Sequence, residues 1–103
     1  MEKLFRRAVH PGEVLRGELE ELGLSQAAFA RHIDVPPNRI SQIVAGKRAI
    51  SGDTALRLGH WFGMEPEFWM NLQTQFDLAE ADEESGQAVR QLPTAADRSR
   101  TEG

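Results

Sequence analysis

The sequence predicts an all-α fold of five helices. Apolar residues recur three and four positions apart along most of the chain, which is the spacing of one face of an α-helix. No stretch shows the sustained alternation of apolar and polar residues, bounded by hairpin turns, that predicts a β-strand. Residues that favour helix starts and ends lie between the periodic segments: Pro11, Ser25, Pro36, Pro37, Ser51 and Pro66 for starts, and Gly23, Gly46 and Gly63 for ends.

The first two helices each combine a start signal with an apolar stripe. Pro11 suits the first turn of helix one, because the N–H that proline lacks would have no helical partner there. The predicted inward stripe of helix one is Val14, Leu15, Leu19 and Leu22. Ser25 is the predicted N-cap of helix two, and Leu24 and Phe29 stand at the two positions of a hydrophobic staple.

The remaining helices are predicted from the same kinds of signal. Helix three is short, with Pro36 and Pro37 at its start and Gly46 at its end. Ser51 caps helix four, whose predicted buried face is Ala55, Leu58, Gly59 and Phe62. Helix five starts near Pro66, and its apolar residues are Phe68, Trp69, Leu72 and Phe76.

The apolar pattern divides the chain into an N-terminal arm over residues 1–8, one helical domain over 9–78 and a polar, acidic C-terminal segment over 79–103. The last segment is either a helical extension or a flexible tail. Residues 1–63 carry nine Lys and Arg against seven Asp and Glu, whereas residues 64–103 carry three against nine. The net charge of −4 therefore allows a basic face in the first part of the chain and an acidic surface in the second.

Composition also bears on the class of function. Cysteine is absent, which removes disulfides, thiolate catalysis and cysteine-based metal sites. No apolar run approaches the roughly 18 residues of a membrane span, and no secretory signal begins the chain, so we expect a cytoplasmic protein without membrane contact. His10, His32 and His60 lack zinc-type spacing, and no common catalytic motif occurs. We expect no enzymatic activity, metal site or cofactor, and we expect His10 to fix the start of helix one.

Helix three carries polar side chains on its outer face. Its apolar side, at about 100° per residue, is Ile40, Ile43 and Val44. Asn38 and Gln42 lie almost opposite, and their amides could pair bidentately with adenine edges in the major groove. Arg39 flanks them and suits guanine or phosphate. On composition alone these would be ordinary solvent-exposed residues, so the interpretation depends on the neighbouring helices.

The neighbouring sequence has the pattern of a helix-turn-helix. Residues 26–45 form two short helices joined by a tight turn, with the small Ala30 where the helices must cross. The segment LSQAAFARHIDVPPNRISQIVAGKR resembles the Cro/C1-type (lambda-repressor-like) family, in which the second of these helices enters the major groove. One departure is Asp34, where the family usually has glycine. Aspartate tolerates a left-handed backbone better than most residues, so the departure is small.

This resemblance implies roles for individual residues. Gln26, at the start of helix two, would contact a DNA phosphate. The residues that would meet base edges are Pro37, Asn38, Arg39 and Gln42. Lys47 and Arg48, just past helix three, are placed for contact with the DNA backbone, although two charges in a loop are equally compatible with a solvated turn.

The resemblance extends on both sides of the motif. VHPGEVLRGEL before it and AISGDTALRLGHWFGMEPEFWMNLQTQFDL after it are similar to HigA-type antitoxins of bacterial type II toxin-antitoxin systems, over residues 9–78. This similarity implies a protein that binds and neutralises a RelE-like (HigB-type) mRNA-cleaving toxin and represses their shared promoter. The alternative is a stand-alone repressor of the same fold that has no toxin partner.

We also expect a homodimer. A helix-turn-helix monomer contacts only a short half-site, and two-fold dimers on palindromic duplex DNA are the usual solution. Helix five and its C-terminal flank are the predicted seam, with Trp69, Leu72 and Phe76 as candidate interface residues. The aromatic residues of helices four and five could instead be ordinary core, because their spacing is that of a buried face.

Overall fold

Five α-helices occupy residues 11–90 of the chain. They are α1 (Pro11–Leu22), α2 (Gln26–His32), α3 (Pro37–Val44), α4 (Gly52–Phe62) and α5 (Pro66–Arg90). The structure is a computed structural model and describes residues 8–97. The predicted all-α fold of five helices is confirmed. Almost all of the predicted N-terminal arm, and the last six residues of the predicted tail, lie outside the described residues.

Side chains cap three of the five helix starts. Ser25 Oγ accepts a hydrogen bond from the Ala28 N–H at 3.1 Å, and Ser51 Oγ accepts one from Thr54 at 3.2 Å. At α1 the cap is His10, whose Nδ1 accepts from the Gly12 N–H at 2.9 Å. The expectation that His10 fixes the start of this helix is therefore confirmed.

The core draws on every helix and on the loop between α3 and α4. Its two largest fully buried side chains are Phe29 and Trp69. The buried apolar set is Leu15, Leu19, Phe29, Ala30, Ile33, Val35, Ile40, Ile43, Ile50, Ala55, Leu58 and Trp69. Leu22 was expected in the inward stripe but is 54% exposed. It lies on the same side of α1 as Leu15, but it is the last residue of the helix, where α1 extends past the core.

The start of α1 lies directly against α3. A Cβ atom added to Gly12 would overlap the carbonyl oxygen of Ile43 in the last turn of α3, so residue 12 has no room for a side chain. The neighbouring His10 ring is buried and meets Phe76 of α5 edge to face, with ring centroids 4.9 Å apart. The same turn of α1 thus joins α3 on one side and α5 on the other.

Helix α5 continues well beyond the apolar segment that predicted it. It runs for 25 residues to Arg90, so residue 79 lies inside a helix and the segment 79–90 is helical. Gly86 falls within this extension, between Asp82 and Arg90, one turn away on either side. The Arg90 Nη1 to Asp82 Oδ1 ion pair, at 2.9 Å, covers that glycine.

The hydropathy of the helices bears on whether any of them could cross a membrane. Over residues 8–97, no helix is both long and apolar enough to cross a membrane.

Replacing Gly12 with alanine tests the contact between α1 and α3. We expect Gly12→Ala to lower the free energy of unfolding by about 2 to 3 kcal/mol, because the clash is with backbone that cannot rotate away. The matched control is Gly17→Ala, in the same helix with nothing near the added methyl group. It should stabilise the protein by up to about 1 kcal/mol. Urea denaturation of both variants measures the difference, and equal stabilities would contradict the assignment.

Candidate nucleic-acid interface

Helices α2 and α3 pack together as a helix-turn-helix. The Val35 N–H donates to the Ala30 carbonyl at 3.0 Å and closes the turn. Asp34 has φ 59°, and it is the only residue other than glycine with positive φ over residues 8–97. The left-handed backbone expected for Asp34 is therefore confirmed, and this turn forms without glycine.

Arg57 of α4 secures that turn from outside. Its Nη1 donates to the carbonyl oxygens of Ile33 and Asp34, at 2.8 and 3.3 Å. Its Nε donates to Asp53 Oδ2 at 2.9 Å. The hydrogen bond to Asp53, followed by the attraction between the two charges, raises the pKa of Arg57 above its ordinary value. Arg57 was not predicted from the sequence, although Asp53 and Arg57 have the spacing of a helical ion pair.

The outer face of α3 presents the polar side chains expected of it. Pro37, Asn38 and Gln42 are exposed, while Ile40 and Ile43 on the opposite side are fully buried. The helix is therefore fixed by one face and leaves the other open. A rigid helix of this kind presents its exposed side chains with little loss of conformational entropy on binding.

Two of the candidate residues are in contact with each other. Arg48 Nη1, in the loop after α3, donates to Gln42 Oε1 at 2.8 Å. This bond orients the Gln42 amide, and the carbonyl oxygen keeps a second lone pair for another donor. Lys47 is exposed in the same loop. The sequence assigned Arg48 to phosphate contact alone and did not anticipate its bond to Gln42.

The other two candidates lie in different surroundings. Arg39 is half-buried, and its Nη1 is 3.6 Å from Asp53 Oδ2 at the start of α4. Gln26 is the first residue of α2 and lines a cavity of about 350 Å³ together with Arg16 and Glu20 of α1. Arg39 therefore has a carboxylate partner, whereas the exposed Pro37 and Asn38 side chains face solvent.

Comparison with known proteins places this geometry in a family. A helix-turn-helix family model matches residues 15–69. Virulence-associated protein I of Dichelobacter nodosus is 47% identical over 92 residues, which cover 86% of this chain and 85% of that protein. Among solved structures, a HigA-family addiction module antidote protein from Coxiella burnetii superposes with a TM-score of 0.83 at 44% identity, covering 85% of this chain and 97% of the other. Antitoxin HigA of Pseudomonas aeruginosa, solved with the higBA promoter, gives 0.82 at 41% identity, covering 86% and 99%.

The chain belongs to the HigA family of Cro/C1-type helix-turn-helix antitoxins. The matched family model begins within α1 and ends at Trp69, so it includes the helix-turn-helix and α4 but only the first turn of α5. The solved HigA relatives match a larger share of the chain, 85% and 86% of its residues.

In this HigA-family chain, one buried amide ties the loop after α3 to α5. Gln73 is 5% exposed, and its Oε1 accepts from the Ile50 N–H at 2.8 Å. Its Nε2 donates to Asp77 Oδ1 at 2.9 Å. Ile50 follows the loop that carries Lys47 and Arg48, so Gln73 helps to fix that loop. A polar residue among the apolar positions of α5 was the sequence signal, and it was missed.

The candidate interface residues of this HigA-family chain divide into two groups. Trp69 is 1% exposed and packs near Phe62, with ring centroids 5.7 Å apart, so its assignment to an intermolecular seam is wrong. Its spacing marked a buried face, and the face is buried within the chain itself. Leu72 and Phe76 are half-buried, and Phe76 lies against His10.

Proposed function

We propose that this HigA-family chain is a sequence-specific DNA-binding antitoxin that represses its own operon. The observation that carries the proposal is the exposed pair Asn38 and Gln42 on a helix whose other face is fully buried, with Arg48 bonded to Gln42. The relative from P. aeruginosa, which was solved with the higBA promoter, supports duplex DNA as the ligand. The proposal gives the chain a binding role without a catalytic step.

The proposed DNA contacts fall into two kinds. Base edges in the major groove would be contacted by Pro37, Asn38, Arg39 and Gln42. The phosphates would be contacted by Gln26, Lys47 and Arg48. Gln26 suits this role because it opens α2, where unpaired N–H groups favour an anion. Base contacts set the sequence preference, whereas phosphate contacts set the register of the protein on the duplex.

A homodimer on a palindromic operator is part of the proposal. The second half of α5 carries a mostly apolar stripe that the chain leaves uncovered: Leu78, Ala81, Ser85 and Val89, with Leu92 just past the end of the helix. At about 100° per residue the four positions within α5 fall on one side of the helix. Leu78, Val89 and Leu92 are between 46% and 60% exposed, and a shallow cavity of about 230 Å³ lies along this side. A second copy of the helix would cover it, which moves the proposed seam from Trp69 towards the C-terminus.

The second proposed partner is a RelE-like mRNA-cleaving toxin, which the chain would neutralise. Support comes from membership of the HigA family and from the acidic character of α5, which would complement a basic protein. The chain could instead act as a repressor without a toxin, and the growth experiment described below separates the two. The cytoplasmic location stays a prediction from the sequence.

Substitutions on α3 and in the following loop test the DNA proposal. Asn38→Ala and Gln42→Ala should each weaken binding by about 1 to 3 kcal/mol and relax the preference at one base pair, because each removes a base contact. Lys47→Ala should weaken binding to all sequences alike and lower the salt slope by about 1. The measurement is titration of the duplex that the wild-type protein enriches from a randomised pool, compared with random duplex. Equal losses on both duplexes for all three variants would argue against base contacts.

A charge placed on the stripe of α5 tests the dimer. Val89→Glu should raise the dimer dissociation constant at least about tenfold, because it buries an unpaired charge in the seam. Gln87→Glu adds the same charge on the opposite side of α5 and should leave the constant unchanged. Sedimentation equilibrium measures both variants. A wild-type chain that is monomeric at micromolar concentration, or two variants that behave alike, would refute the seam.

Co-expression tests the antitoxin role. The chain should restore growth to cells that express the small open reading frame beside its gene, and the two products should co-purify as a stable complex. The double variant Asn38→Ala/Gln42→Ala, expressed from an unrelated promoter, should still restore growth, because it alters only the proposed base contacts. A harmless neighbour that does not co-purify would leave the chain as a stand-alone repressor.

A further inference from the structure

One carboxylate lies between two arginines beside the proposed DNA-binding face. Asp53 Oδ2 accepts from Arg57 Nε at 2.9 Å and lies 3.6 Å from Arg39 Nη1. Asp53 belongs to the first turn of α4, where the helix dipole favours a negative charge. The carboxylate therefore lies between two guanidinium groups where α4 approaches α3.

The hydrogen bond from Arg57 orients the carboxylate of Asp53. The guanidinium of Arg57 is itself fixed by the carbonyl oxygens of Ile33 and Asp34 in the turn of the helix-turn-helix. A continuous chain of polar contacts therefore runs from that turn through Arg57 and Asp53 to Arg39. The last contact, at 3.6 Å, is the longest of the chain and exceeds the usual length of a charge-assisted hydrogen bond. Arg39 is thus attracted to a fixed point without being locked to it.

The attraction between Asp53 and Arg39 bears on how selectively Arg39 would bind DNA. A flexible cation on a DNA-facing helix pairs with any phosphate within reach, which strengthens binding to every sequence alike. Holding the side chain in one orientation reduces those contacts and lowers the entropy lost when it binds one defined partner. The side chain of Arg39 is only 28% exposed, as expected for a side chain held against the protein.

We propose that Asp53 is a specificity-determining residue of the DNA interface, which orients Arg39 towards one defined contact and suppresses its binding to random phosphates. The inference rests on the proposed DNA-binding function. Asp53 acts through Arg39 and is therefore a positioning residue, with no DNA contact of its own. A purely structural role at the start of α4 would change stability without changing sequence preference.

The test is a double-mutant cycle on DNA discrimination. Its readout is the ratio of dissociation constants for random duplex and for the duplex that the wild-type protein enriches from a randomised pool. Asp53→Asn keeps an acceptor for Arg57 but removes the charge that attracts Arg39, and it should lower the ratio about fivefold. In an Arg39→Ala background, the same substitution should have no further effect. Asp53→Glu, which keeps the charge, should recover most of the ratio.

A matched control separates this effect from general electrostatics. Asp34→Asn removes one negative charge from the same region, and asparagine tolerates the left-handed backbone at that position. It should strengthen binding to both duplexes alike and leave the ratio unchanged. Thermal unfolding of each variant confirms that the compared proteins are folded.

The outcomes are distinct. Loss of discrimination that disappears in the Arg39→Ala background supports the positioning role. Independent effects of Asp53→Asn and Arg39→Ala on the ratio would overturn it while leaving DNA binding intact, as would an unchanged ratio for Asp53→Asn. A wild-type protein that enriches no sequence at all would overturn the proposed function and this inference together.

Discussion

The fold depends on one close approach between two backbones. The first turn of α1 lies against the carbonyl of Ile43, in a space where residue 12 can carry no side chain. Because Ile43 belongs to the last turn of α3, this contact sets how deeply α3 lies in the domain. The core side chains of α2 and α4, among them Phe29 and Leu58, pack around the helix in that position. Its exposed face is thereby presented at a fixed height above the rest of the surface.

Helix α5 supports α3 indirectly, through the start of α1 and through the loop that follows α3. Phe76 covers the His10 ring that caps α1, and Gln73 accepts from the backbone of Ile50 beyond the end of α3. These two residues of α5 are three positions apart and face the same side of the helix. The start of α1 and the loop after α3 are therefore braced by a single turn of α5. The buried amide contributes a directional bond that an apolar side chain could not supply, because the Ile50 N–H would otherwise have no partner.

Most of the fold was predictable because its signals are local. Ser25 and Ser51 cap helices within a few residues of their own positions, and the left-handed turn at Asp34 needs only the tolerance of that residue. The exposed face of α3 followed from periodicity for the same reason. The bonds from Arg57 to the turn and from Gln73 to Ile50 join residues 23 or 24 positions apart, and no periodicity encodes them. Periodicity also identifies a buried face without saying what buries it, which is why Trp69 was misplaced.

The extension of α5 has a consequence for the geometry of the whole assembly. In the proposed dimer the seam lies along the second half of α5, so the rigidity of this segment sets the separation of the two α3 helices. Gly86 is the point of least intrinsic helical rigidity in that segment, and the ion pair between Arg90 and Asp82 reinforces it. That pair is partly exposed, so dissolved ions screen it. High ionic strength is therefore expected to weaken the support that this pair gives to α5 at Gly86, within the proposed seam itself.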